Sequence, residues 1–337
     1  MQQRWTISGT LPEKLLLVSL LYLAAVMPFQ HSSISTVVPG IVLMVVAWLW
    51  EGNLKNKLVQ FCTNANAVIF SSLYLFYCFG FFYSENTTYA TTDLLLKIPL
   101  ILFPLIIASS FQVKKNISVI IKVFLFSCLC SAVICLLQAA YHTYQTGVNY
   151  FFYSLLSVFM HVGHYAMYLV FAAFIALHFA FTESSRGAKV LYSLAFATLA
   201  VIVFMLAARA QLIAFFIVSY SGIIYFFFMR RQWLKGSMVL GLTVLICIGA
   251  LQLSPRVKER IYSVKSQTTS FFSGNRKTVN SVSVRYIIWE SAAEVIQKNP
   301  LAGVGTGDAK DELIKKAQEK NYAIIVKKNL NYHNQFM

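Results

Sequence analysis

Nine apolar stretches, each near the roughly 20 residues a helix needs to cross a bilayer, recur along the chain and leave it few ways to fold. They run approximately over residues 15–30, 34–50, 66–83, 94–110, 118–140, 163–182, 190–207, 211–228 and 238–253. Inside lipid every backbone N–H and C=O must find its partner within the protein, and a helix supplies all of them itself. Composition points the same way. With 58% hydrophobic and 12% charged residues, the apolar surplus exceeds what a single water-soluble core could bury. The expected fold class is all-α: a polytopic membrane protein with about nine transmembrane helices and a helical extracytoplasmic loop domain near the C-terminus.

Arg4 and Lys14 precede the first stretch, as in a signal peptide, but a train of further spans follows. A retained signal anchor is therefore expected rather than a cleaved leader. Short loops rich in Lys and Arg stay cytoplasmic. One set of loops collects Arg4, Lys14, Lys55, Lys57, Lys114, Lys115, Arg186, Lys189, Arg230, Arg231 and Lys235, whereas the other set carries only Arg209 before residue 254. With the N-terminus inside, residues 1–253 form the membrane bundle and residues 254–337 an outer domain.

The formal charge of +16 does not argue for nucleic acid, since eleven of the 28 basic residues are these topological anchors and no RNA- or DNA-binding motif remains. The outer segment holds 14 Lys and Arg against seven Asp and Glu, which would attract a polyanion, a lipid diphosphate or anionic headgroups. Cys62, Cys78, Cys128, Cys130, Cys135 and Cys247 lie in or beside spans, so packing roles are expected rather than a disulfide framework or zinc site. No Asp-x-Asp pair occurs, and His161 and His164 lack an evident third ligand, so no metal or other cofactor is expected.

In the outer segment, Ser254-Pro255 suits a helix start, with Val257, Ile261 and Val264 opposite Arg256, Lys258, Arg260 and Lys265. Residues 266–283 read as a loop. A second helix is expected from Ser283 to the stop at Pro300, with Arg285, Trp289, Ala292 and Ile296 along an apolar stripe and Glu290, Glu294 and Lys298 on the wet side. An arginine at such a boundary calls for an anionic partner, either phosphate or a carboxylate of the same domain. The run Gly303, Gly305, Gly307 then permits a tight turn into a third helix capped by Asp308 and favoured by Asp311. A glycine turn at a helix start can cradle phosphate, but close packing against the membrane helices is the preferred reading. Arg209, in Leu206-Ala-Ala-Arg209-Ala-Gln211, stands between two apolar runs on the side otherwise poor in positive charge, which marks it as a functional candidate.

An arginine followed by Ile-Trp, then Pro300-Leu-Ala-Gly-Val-Gly-Thr-Gly307, a charged stretch and His333-Asn334 resembles the signature loop of the O-antigen ligase and O-antigen polymerase superfamily. Many spans with one large outer loop near the C-terminus is also similar in layout. Ala208-Arg209-Ala210 resembles the family's Ser-Arg-Gly/Ala element with Ala208 departing from it, and Gly163-His164-Tyr165 sits where relatives carry a polar patch. The resemblance implies further spans after Met337 in an intact protein.

It also implies transfer of a glycan from a polyprenyl diphosphate carrier such as undecaprenyl diphosphate to a sugar hydroxyl, metal-free, at the periplasmic face of a bacterial inner membrane. The residues suit that chemistry. Arg209 and Arg285 would stabilise the departing diphosphate, and His333 would accept the acceptor's proton. His164, Gly303, Gly305 and Asn334 complete the expected substrate-binding set. The expected partners are the lipid-linked glycan donor, a lipid A core or glycan acceptor, and membrane lipids. Ligation onto lipid A core and polymerisation of lipid-linked repeats share this donor chemistry. A transporter or flippase for a lipid-linked sugar is the alternative class; it calls for paired charges within spans and broken helices. Lys97 and Lys122, inside the expected spans, read as unpaired in sequence.

Overall fold

The computed structural model describes residues 9–30, 36–229 and 281–320, together with isolated positions at 231, 232, 234, 236–238, 241 and 322. All regular structure in the described residues is helical. Ten helices precede residue 230: α1 Leu11–Val26, α2 Val37–Trp50, α3 Leu54–Cys62, α4 Ala65–Phe81, α5 Thr87–Lys97, α6 Pro99–Ser109, α7 Phe111–Thr146, α8 Val162–Thr182, α9 Arg186–Leu206 and α10 Arg209–Met229. Two follow the charged stretch, α11 Ser281–Lys298 and α12 Ala309–Glu319.

Six helical segments among the described residues are long and apolar enough to cross a membrane, or seven if α2 and α3 count as one broken span. The chain is a multi-pass membrane protein. Nine spans are not all seen: α2 has 14 residues and α4 has 17, and the stretch expected at 238–253 lies almost wholly outside the described residues. The proposed basic helix from Ser254 lies outside them too. The expected span 94–110 starts earlier, because α5 already begins at Thr87 and continues through a break at Ile98 into α6.

The chain divides into two units, one of residues 1–54 with 110–247 and one of residues 55–109 with 248–337. The first is built around small side chains. Ala132 and Ala139 of α7, Ala166, Ala172, Ala173 and Ala176 of α8 and Ala195 of α9 are buried together with Leu169, Leu199 and Leu206, letting the helices approach closely where no hydrophobic effect drives them together. A polar contact is buried among them, Ser131 Oγ with Tyr165 Oη at 3.2 Å. Contacts also set the direction of the helices. Gln112 Nε2 donates to Glu13 Oε2 (3.3 Å) and Ser127 Oγ to the Ala25 carbonyl (2.6 Å), so α1 and α7 run parallel, as the first and fifth expected spans should. Lys122 near the start of α7 meets Glu183, just past the end of α8, at 2.6 Å.

That last pair corrects an expectation. Lys122 and Lys97 both have partners: Lys122 pairs with Glu183 and lies 4.6 Å from the centre of the Phe179 ring, and Lys97 pairs with Asp93 one turn earlier in α5 and lies 4.0 Å from the Tyr77 ring. Lipid makes an unpaired ammonium costly, so each is neutralised locally. In the second unit α4 packs against α6, and α11 forms a hairpin with α12.

Candidate functional site

The α11–α12 hairpin closes on Ile287, Ile288 and Ala292 of one helix and Leu313 and Ala317 of the other. Lys320, just beyond α12, bridges back to α11, binding Glu294 and lying 3.3 Å from Glu290. The Lys320 ammonium holds the Glu294 carboxyl below its ordinary range, and Glu294 in turn raises Lys320. Lys316 and Glu319 form a similar pair within α12.

This packing corrects the expected orientation of α11. The helix appears where expected and stops before Pro300, but its buried side is Ile287, Ile288, Ser291, Ala292 and Val295. Of the anticipated stripe only Ala292 is buried; Trp289 and Ile296 are 46% and 43% exposed, and Arg285 is exposed beside them. Arg285 makes no ion pair among the described residues, so the carboxylate partner considered for it is not found there. An exposed guanidinium flanked by Tyr286 and Trp289 presents a fixed positive charge with its donors outward.

The glycine run behaves as a packing device. Thr306 N donates to the Gly80 carbonyl (3.2 Å), Thr306 Oγ1 to the Tyr77 carbonyl (2.8 Å) and Gly307 N to Ser84 Oγ (2.9 Å). A Cβ at Gly305, whose φ is +90°, would stand 3.1 Å from Ser84 Cα, and one at Gly307 would drive into the Asn86 carbonyl. Asp308 does precede α12, as expected, but its side chain does not cap that helix. Its two oxygens accept instead from Glu85 N and Asn86 N, both at 2.7 Å, at the start of α5. Asp311 accepts from Asn86 Nδ2 at 2.8 Å. Both carboxylates thus face amides across 220 residues and more of sequence.

Beside this junction lies an open cavity of about 620 Å³ lined by Tyr83, Glu85, Asn86, Asn299, Gly303, Val304, Asp308, Asp311 and Glu312. Gly303, at φ +71° with nothing within 4 Å of a would-be Cβ, is the glycine of the run that faces open space; Gly305 faces protein. Four carboxylates on the wall make the cavity a poor home for phosphate.

In the first unit Arg209 is the first residue of α10 and half-buried. The chain reverses just before it through Ala207, whose φ of +46° is left-handed, and through buried Ala208. A Cβ at Gly163 would lie 3.7 Å from Gln211 Nε2, so the first turns of α8 and α10, which carry His164 and Arg209, adjoin. His164 is exposed there, its ring 5.9 Å from that of His161, which caps α8 by accepting from Gly163 N. No three-residue metal-ligand group occurs among the described residues. His333 and Asn334 lie outside them.

The stretch from Leu194 to Met337, which takes in most of α9, all of α10, Arg209, α11, α12, the glycine run and His333-Asn334, matches the family model described as O-antigen ligase, Wzy_C. Residues 194–337 form an O-antigen ligase family domain. The family comprises O-antigen ligase- and polymerase-type enzymes. No curated protein matches the chain. The family domain contains the candidates Arg209, Arg285, Gly303, Gly305, His333 and Asn334, whereas His164 lies upstream of it. Gly80, Ser84 and Asn86, which receive the family domain's glycine run, are also upstream and escaped notice in the sequence. The available signal was a Ser-Glu-Asn turn after an apolar run, and no spacing rule ties such a turn to glycines so distant.

Proposed function

We propose that this protein transfers a glycan from a polyprenyl diphosphate carrier to a sugar hydroxyl, as an O-antigen ligase acting on a lipid A core at the periplasmic face of a bacterial inner membrane. The observation that carries this is the family match over residues 194–337, with both arginines and His333 inside it. In this reading the chain crosses the membrane nine times and residues 254–337 form the extracytoplasmic domain. As the bond from the anomeric carbon to the phosphate oxygen breaks, negative charge grows on the diphosphate; Arg209 and Arg285 offer charge-assisted donors that bind this state more strongly than the substrate. His333 takes the proton of the attacking hydroxyl, the imidazole being the side chain that most often serves as a general base. His164, Asn334 and the backbone at Gly303 belong to the substrate contacts; Gly305, packed against Ser84, does not.

The family equally covers polymerases, and one experiment separates the two. The gene is deleted in its host, the strain is complemented with the intact gene or with His333→Ala, and the surface glycans are displayed on a gel. Bare lipid A core with accumulated lipid-linked glycan marks a ligase; cores bearing a single repeat mark a polymerase. A profile unchanged by deletion refutes both. One observation favours a flippase instead: the Asp93–Lys97 pair within the span 87–109, next to the break at Ile98. Complementation by Lys97→Met discriminates, because a flippase built on that pair fails, whereas a transferase keeps its product.

A further inference from the structure

The densest long-range polar contacts in the second unit join the glycine-run segment to the α4–α5 turn, and no step of the proposed chemistry uses them. Asp308 places a carboxylate on two adjacent backbone amides, Thr306 bonds two α4 carbonyl groups with its amide and hydroxyl, and Ser84 Oγ relays from Gly307 N to the Gly80 carbonyl. Tyr83 Oη donates to the Ala302 carbonyl, and Lys310 stands over the Tyr89 ring at 5.5 Å. Gly305 and Gly307 have no room for a side chain at this junction, because a Cβ there meets backbone, and a Cβ at Gly80 would meet first the Thr306 hydroxyl. Contacts of this kind fix one position. The segment they hold lies directly between α11, which carries Arg285, and α12.

We infer that Asp308 and Thr306 are positioning residues, clamping the segment between α11 and α12 onto the α4–α5 turn so that Arg285 is presented in one place. The inference rests on the glycan-transfer reading. It adds that the family domain is seated by a turn from upstream of the domain, and that losing the seat damages turnover without removing a group that touches substrate. A misplacement of about 1 Å can cost about 100-fold in rate.

The geometry supplies its own test. A Cβ at Gly80 would lie 3.5 Å from Thr306 Cβ, within the usual range for a disulfide. Gly80→Cys and Thr306→Cys are introduced together into a chain whose six natural cysteines are replaced, with and without Asp308→Ala. Transfer is measured in membrane vesicles given a synthetic polyprenyl-diphosphate-linked glycan and lipid A core. The expected result is that Asp308→Ala lowers kcat about 10- to 100-fold with KM for the lipid-linked glycan unchanged. Oxidising the cysteine pair restores turnover, and reduction removes it again. Unchanged kcat in Asp308→Ala, or no rescue on oxidation, overturns the inference.

If Asp308→Ala does not accumulate, the cysteine pair with Asp308 intact decides: full activity when crosslinked supports the clamp, and activity that survives only when reduced refutes it. If the unaltered chain shows no transfer, it is the glycan-transfer reading that fails. Crosslinking yield then judges the seat alone: ready closure upholds it, and failure to close removes it.

Discussion

At the scale of single residues, the glycine run shows how one repeated letter can carry several demands. Gly307 is a matter of space, since a methyl group there meets the Asn86 carbonyl, which is backbone and cannot swing aside. Gly303 is a matter of conformation, having room for a side chain but a left-handed φ. Gly307→Ala should cost about 1–3 kcal/mol through overpacking, and Gly303→Ala about 1–2 kcal/mol through backbone strain. Thermal midpoints in detergent check this; a Gly307→Ala protein as stable as the parent would show that the turn is not seated as described. The sequence made the glycines conspicuous and suggested close packing against membrane helices. It could not show the surface they meet, nor that Asp308 would turn from its own helix to two amides at α5. Both oxygens of a carboxylate accept equally well from either set of N–H groups, and tertiary position decides between them.

At the scale of elements, α11 was legible in its extent and misread in its rotation. Ile287 and Ile288, about 100° apart on the helical wheel, belong to one apolar arc, whereas Trp289 and Ile296, about 20° apart, form another further round, so the helix has apolar residues on two faces. Leu313 and Ala317 of α12 select the isoleucine face, leaving Arg285 and Trp289 outside. The hairpin's ion pairs give it a pH dependence. Glu294 is held below its ordinary 4.5 by Lys320, so its contribution is present above that pH and is lost as pH falls through the lowered value. Lys320 is raised above 10.5, so its contribution is present below that pH and fades only as pH rises through the raised value. Protection of α11 and α12 amides from hydrogen exchange, corrected for intrinsic rates, should therefore fall between about pH 7 and about pH 3 and fall less in Glu294→Gln. Equal loss in both proteins would assign the effect to other carboxylates.

At the scale of the whole molecule, the apolar runs made an all-helical multi-pass architecture readable from the sequence, because backbone satisfaction in lipid is a property of the chain itself, while the alternation of Lys and Arg among loops gives an expected sidedness. What it missed was the pairing of Lys97 and Lys122, which requires knowing the helical register of Asp93 and the neighbour of α7. The sidedness has a direct check. Single cysteines at Glu85 and Lys310, in a chain otherwise free of cysteine, should react in intact cells with a maleimide that does not cross the inner membrane. Cysteines at Lys115 and Ser185 should react only after permeabilisation. Labelling of Lys310 but not Glu85 would break the contact between their segments.

Asp308 also imposes an order in time. The two amides it engages at the start of α5 leave the ribosome 222 residues or more before it does. Through most of synthesis they must find other partners, and the turn between α4 and α5 stays unfinished until the distant carboxylate has been made to meet it. Completion of an early pair of membrane helices thus depends on one of the later segments to be delivered.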